Sequence, residues 1–166
     1  MRTLLHVGCG KTPPPTWLDG FSEVRLDIDP SVQPDITASM LDLGAIGPFD
    51  ALYSSHALEH LYPHEVLVAL REFRRVLKPG GAVIVVVPNL EGIKATEDVV
   101  FVSPGGPISG LDMIYGMSGR VAENPYMAHH YGFVRETLQD VMEQAGFSRC
   151  EALADQHYNL IGVGVA

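Results

Sequence analysis

Cysteine is scarce in this chain of 166 residues: only Cys9 and Cys150 are present. Two cysteines cannot build a disulfide framework or a four-cysteine zinc site. Positive charge is scarce too. The 11 Lys and Arg stand against 20 Asp and Glu, for a formal net charge of −9. A protein that grips a polyanion needs clustered cations, so neither nucleic acid nor a membrane is an expected partner. No apolar run approaches the roughly 20 residues of a membrane helix. The stretch from Met1 to Gly8 falls short of the apolar core of about 7–15 residues in a signal peptide. The expected setting is therefore cytoplasmic and reducing.

Apolar residues are plentiful, at 46%. A chain of this length hides roughly 68–70% of its unfolded surface on folding, enough for a core without staples. No linker or internal repeat is visible, so residues 1–166 read as a single domain.

Thr3–Val7 reads as a buried strand ending in the turn Gly8-Cys9-Gly10. Pro13-Pro14-Pro15 follow, and three prolines in a row forbid a continuing helix. Glu23–Ile28 reads as a second strand, Asp35–Leu41 as a weaker third, and Phe49–Ser54 as a fourth. In Pro63–Leu77 the residues Val66, Ala69, Leu70, Phe73, Val76 and Leu77 recur at spacings of three and four, one apolar helical face. Lys78-Pro79-Gly80-Gly81 predicts a sharp stop, and the β-branched Ala82–Val87 a central strand. Val134–Ala145 predicts a second helix, capped at Gly146. Cys150–Ala154 and Asn159–Val165 predict two closing strands. Between them, Leu90–Gly132 shows no long periodicity beyond a short helix near Gly110–Tyr115. Strands alternating with crossovers predict an α/β, Rossmann-like, doubly wound and mostly parallel sheet.

The chemistry-bearing pattern is the glycine turn followed by acids at the tip of the adjacent strand, Asp27 and Asp29. Glycines let a ligand approach the backbone, and an acid there accepts hydrogen bonds from ribose hydroxyls. A dinucleotide site would add a third glycine opening a helix. Lys11-Thr12-Pro13 follows instead, which argues against a nicotinamide oxidoreductase.

Three further strings complete the pattern: Phe49-Asp50-Ala51-Leu52-Tyr53-Ser54-Ser55-His56-Ala57-Leu58-Glu59-His60, Glu72-Phe73-Arg74-Arg75-Val76-Leu77-Lys78-Pro79-Gly80-Gly81, and Val83–Val87 with Pro88-Asn89. Together they resemble the class I S-adenosylmethionine-dependent methyltransferases, more narrowly the small type 11 methyltransferase-domain group. The resemblance covers residues 3–90 closely and 131–166 by pattern. It implies the strand order 3-2-1-4-5-7-6 with the last strand antiparallel. It also implies Gly8, Cys9 and Gly10 under the methionine part of the cofactor, Asp27 on the ribose and Ile28 against the adenine. Met40 and Leu41 would line the adenine edge, with Ser54, Ser55 and His56 facing the methionine part of the cofactor and its methyl group.

The chain departs from the family in places. His6 stands where a strand acid often serves the cofactor's ammonium, and Ser39 where an acid often precedes the adenine-lining residue. The helix after the first strand is reduced or absent. Many relatives carry N-terminal helices over the site. Here the cover is expected from 90–130, an inserted segment read as a substrate lid, or from a second subunit in a homodimer.

Methyl transfer is an in-line displacement in which positioning does most of the work. A base is needed only for an acceptor that must lose a proton. His56, at the end of the fourth strand, and His130, at the end of the lid, are the catalytic candidates. No metal is expected, because Pro63 interrupts the His56/His60/His64 spacing and the adjacent His129 and His130 point apart. The reading is a methyltransferase (EC 2.1.1 class) acting on an O or N of a small-molecule acceptor. The alternative is a catalytically inactive S-adenosylmethionine- or nucleoside-binding protein with a regulatory or scaffolding role.

Overall fold

The computed structural model describes residues 1–166. Nine strands and four α-helices follow in chain order: β1 (Arg2–Val7), β2 (Phe21–Asp27), β3 (Ile36–Thr37), β4 (Phe49–Ser55), α1 (Pro63–Arg75), β5 (Leu77–Pro88), β6 (Val99–Ser103), β7 (Gly106–Ser109), α2 (Gly110–Tyr115), α3 (Ser118–Glu123), α4 (Arg135–Gln144), β8 (Ser148–Ala154) and β9 (Asn159–Val165). Seven strands form one sheet in the order β3-β2-β1-β4-β5-β9-β8, and β6 pairs only with β7. From β3 to β5 all pairings are parallel, while β9 runs antiparallel to both β5 and β8. With the β6–β7 hairpin set aside, this is the order implied by the resemblance.

The core lies between the sheet and α1 with α4. Val66, Ala69, Leu70 and Phe73 of α1 and Leu138 and Met142 of α4 are buried against Leu5, Val7, Leu52, Val83, Val85 and Leu160. Both long helices therefore cover the same face. The opposite face carries Leu4, Ala51, Tyr53 and Ile84, with Leu18 buried on it. Only a 3-10 turn, Thr16–Leu18, stands between β1 and β2. The three prolines account for this, since they lack the N–H groups a helix would need.

Three expectations are corrected. The third strand is two residues long, not Asp35–Leu41, because the chain leaves the sheet edge once Ala38 N–H has bonded Asp27 O. The fifth begins at Leu77 instead of after Gly81. Phe49 pairs with Leu77 and Ala51 with Ala82, so Lys78–Gly81 is accommodated as a register shift. Gly80 N–H donates to Ala166 O and Ala166 N–H to Gly81 O, which holds the shifted segment in the sheet. Finally, the stretch without visible periodicity contains a hairpin and two six-residue helices, α2 lying at Gly110–Tyr115 as predicted. Elements that short complete too few turns to show a hydrophobic period.

Candidate active site

Between β1 and β4 the strand order reverses, and in an open parallel sheet ligands bind outside the carboxyl ends of the strands at that point. Gly8, Cys9 and Gly10 leave β1 there, and Ser54 and Ser55 end β4. Gly8 and Cys9 N–H both donate to Leu26 O, folding the turn onto β2. Gly8 has φ +66°, and a Cβ there would stand 2.8 Å from the Ala57 Cβ. Gly10 has φ +48° and open space where a Cβ would sit.

Asp27 closes the turn from the second strand. One carboxylate oxygen accepts Gly10 N–H at 2.8 Å and the other accepts Asp29 N–H at 2.9 Å. Each oxygen keeps a further lone pair for a ligand hydroxyl. Asp29 is spent on its own turn, accepting from Ser31 N–H and Ser31 Oγ, both at 2.8 Å. Those bonds hold the Asp29 carboxyl below its ordinary range. Ile28 is 63% exposed beside them. Met40 and Leu41 are half-buried against the core. Cys9 is buried, and burial pushes its thiol up, so it is not poised as a nucleophile.

Ser54 is 1% exposed, and its Oγ has no hydrogen-bond partner. An open glycine turn, an exposed apolar residue at the β2 tip and an orphan hydroxyl at the β4 tip fit a bound nucleoside with a polar tail. A separate cleft of about 400 Å³ is lined by Lys11, Thr12, Pro13, Glu23, Arg25 and Val32. It shares no residue with this set.

His6 stands one residue before the end of β1, buried on the sheet face opposite α1 and α4. Its Nδ1 is 2.7 Å from Glu23 Oε1, and its ring is tilted against Tyr53. His56 has φ +51° and is half-exposed just past β4. Its Nδ1 is 3.2 Å from Glu59 Oε1 and its Nε2 is 3.1 Å from Asn159 Oδ1. Asn159 Nδ2 donates to Asp155 Oδ2, which turns Oδ1 toward the ring. Both ring nitrogens thus face acceptors, the setting of an imidazolium. Burial opposes that charge, but the bond and charge of Glu59 outweigh it and push His56 up.

The lid candidate leaves at Asn89 and returns at Phe133, which form a parallel bridge at the carboxyl end of β5. Met113 is buried within it, whereas Tyr115 and Tyr126 are exposed. His130 is exposed and stacks on Tyr62 at 4.3 Å between ring centroids. Its neighbour His129 turns the other way, packing edge-on against His60 at 5.2 Å. Sequence reasoning passed over Glu59, which is 1% exposed, accepts His130 and Tyr131 N–H at its backbone oxygen, and leaves Oε2 without a partner. The only advance signal was its place in the Leu58-Glu59-His60 string.

Fold and strand-tip turn together define a Rossmann-like class I methyltransferase architecture. Residues 5–85, a little under half of the chain, match the family model described as methyltransferase domain. No curated protein matches the chain in sequence. Among solved structures, the S-adenosylmethionine-dependent methyltransferase SibL in its apo form is similar at TM-score 0.66 and 16% identity, over 99% of this chain and 50% of that one. A Mesorhizobium loti S-adenosylmethionine-dependent methyltransferase is similar at 0.65 and 17%, over 99% and 90%. The Burkholderia thailandensis 1,6-didemethyltoxoflavin-N1-methyltransferase, with 1,6-didemethyltoxoflavin and S-adenosylhomocysteine bound, is similar at 0.63 and 14%, over 99% and 71%. The chain spans about half the length of the first of these. S-adenosylmethionine is the cofactor of this class, and no helix is long and apolar enough to cross a membrane.

Proposed function

We propose that this domain moves a methyl group from S-adenosylmethionine to an oxygen or nitrogen of a small-molecule acceptor. The observation that carries the reading is the Gly8–Gly10 turn tied to the Asp27 carboxylate at the switch point. The small-molecule acceptor is supported by the excess of acid and by the small ligand named for the Burkholderia thailandensis neighbour. Bound at the turn, S-adenosylmethionine supplies a methyl carbon on a sulfonium, which an acceptor lone pair takes in line while the C–S electron pair returns to sulfur.

The chain's own residues then have positioning roles. Asp27 holds the ribose hydroxyls with its free lone pairs, and Ser54 Oγ gains the partner it lacks. Ile28, Met40 and Leu41 give the adenine an apolar edge. Ser55 and the backbone of Cys9 flank the methionine part, and segment 90–130 covers the acceptor. An acceptor hydroxyl or ammonium must shed its proton to a base. His56 serves only after giving up its own Nε2 proton and turning from Asn159. His130 serves only from the outer edge, beside Tyr62. A second subunit covering the open site, as a homodimer, is part of the same proposal.

One observation favours the binding-only alternative: the first strand offers His6, engaged with Glu23, where the class often carries an acid. Two measurements separate the readings. Thermal unfolding with S-adenosylmethionine, S-adenosylhomocysteine and NAD, at 100-fold over the dissociation constant, reads binding worth about 2.7 kcal/mol. For a chain of this length that is roughly 5–10 °C. A shift with the two adenosyl ligands and not with NAD is expected; the reverse overturns the reading. Release of S-adenosylhomocysteine across a panel of small hydroxy and amino acceptors then distinguishes transfer from binding alone.

A further inference from the structure

Glu59, His60 and His129 come together although 129 is far from 59 and 60 in sequence. One carboxylate oxygen of Glu59 and one ring nitrogen of each histidine lie within 4.8 Å of one another. The geometry points to a binding site for a divalent first-row transition ion, Zn²⁺ above all, held by these three side chains at the carboxyl end of β4.

The tautomers support it. His60 Nδ1 is 3.1 Å from Ala128 O, and His129 Nδ1 is 3.0 Å from Met113 O. A carbonyl only accepts, so each Nδ1 carries a proton and donates. A neutral ring with a protonated Nδ1 presents a lone pair at Nε2. A backbone carbonyl gripping one nitrogen so that the other is free to ligate is the arrangement found behind metal-bound histidines.

The carboxylate adds the second, independent observation. Glu59 is 1% exposed, and its Oε2 has no hydrogen-bond partner. A buried carboxylate oxygen left bare is costly. His56 pairs with Oε1 only, at 3.2 Å. A cation between Oε2 and the two imidazoles removes that cost. Two imidazoles and one carboxylate form a set suited to zinc, with a fourth position left for water or a substrate oxygen. Ligand atoms on a tetrahedral zinc stand roughly 3.3 Å apart, so modest side-chain rotations close the observed spacing.

The expectation of no metal rested on linear spacing, and the pairing here is not linear. The return of segment 90–130 brings His129 onto Glu59, whose backbone oxygen also takes His130 and Tyr131 N–H. An ion at this point would fasten the segment to the β4 tip. This inference does not depend on methyl transfer.

The test uses the full chain after treatment with a chelator. Titration with Co²⁺ should give one equivalent bound, with visible absorption that Zn²⁺ displaces. His60→Ala, His129→Ala and Glu59→Gln should each weaken Co²⁺ more than about tenfold, while His64→Ala and His157→Ala leave it unchanged. Circular dichroism identifies any variant that fails to fold. X-ray absorption of the wild-type Zn²⁺ complex then gives a readout independent of the variants, with two imidazoles expected. No stoichiometric binding by the wild type, equal affinity in folded His60→Ala and His129→Ala, or fewer than two imidazoles on zinc overturns the site.

Discussion

The Asp27 carboxylate accepts the backbone N–H of Gly10 at 2.8 Å, so the acid at the tip of β2 braces the glycine turn that leaves β1. One side chain thus shapes the turn and offers its remaining lone pairs to a ligand.

Replacing it should weaken both roles. Asp27→Ala is expected to reduce S-adenosylmethionine affinity by about 1–3 kcal/mol, or about 5- to 150-fold. Calorimetric titration measures this, with Asp29→Ala as the comparison, because Asp29 is occupied by Ser31. Equal losses in the two variants would move the ribose role away from Asp27.

The two glycines of the turn should differ. Gly10→Ala incurs only the left-handed backbone penalty of roughly 1–2 kcal/mol. Gly8→Ala adds a clash with Ala57, 2.8 Å from the new Cβ. Overpacking of that kind costs about 1–3 kcal/mol, so Gly8→Ala should be the less stable by that margin in urea unfolding. Similar midpoints and slopes would contradict the packing argument.

Acid should loosen the start of the sheet through Asp50. Lys78 Nζ at 2.7 Å, then Thr3 N–H at 2.8 Å, hold its carboxyl down to about 2. A carboxyl depressed by folding stabilises the protein above its unfolded value and loses that contribution as pH falls through the folded one. Stability should therefore drop between about pH 4 and about pH 2, and Asp50→Asn should flatten that part of the profile. Both partners of the pair are partly exposed, so the effect is small. Parallel melting profiles for the two proteins would remove Asp50 as the cause.

Cys9 should behave as an inert thiol. Burial pushes both thiols up, but Cys9 is 2% exposed whereas Cys150 is only half-buried, so access separates them. A thiol reagent applied to the folded protein should modify Cys150 first, read by peptide mass. Cys9 reacting first would show an opening of the turn that the packing does not allow.

Much of the fold was legible in the residues. Val66, Ala69, Leu70 and Phe73 marked the face of α1, and the β-branched run 83–87 marked the central strand. Asn159–Val165 was legible to the residue because its alternation is short and bounded. Lys78–Gly81 misled, because proline and glycine signal a break equally well when a strand absorbs them as a register shift. The 90–130 segment was opaque because its hairpin and short helices draw on contacts such as Phe101 with Tyr158, stacked at 5.3 Å.

What the sequence by itself determined was local: the glycine turn, the acid at the next strand tip, the helical periodicities and the prolines that replace a helix. Backbone propensity and burial period act over a few neighbouring residues, so they can be read from the chain directly. Only the tertiary structure decided that both long helices share one face. It alone decided that His129 and not His130 faces Glu59 and His60, and that His56 meets acceptors at both nitrogens. Those outcomes depend on where the 90–130 crossover lands, at the bridge of Asn89 to Phe133, and the geometry of a returning segment is set by packing between residues distant along the chain.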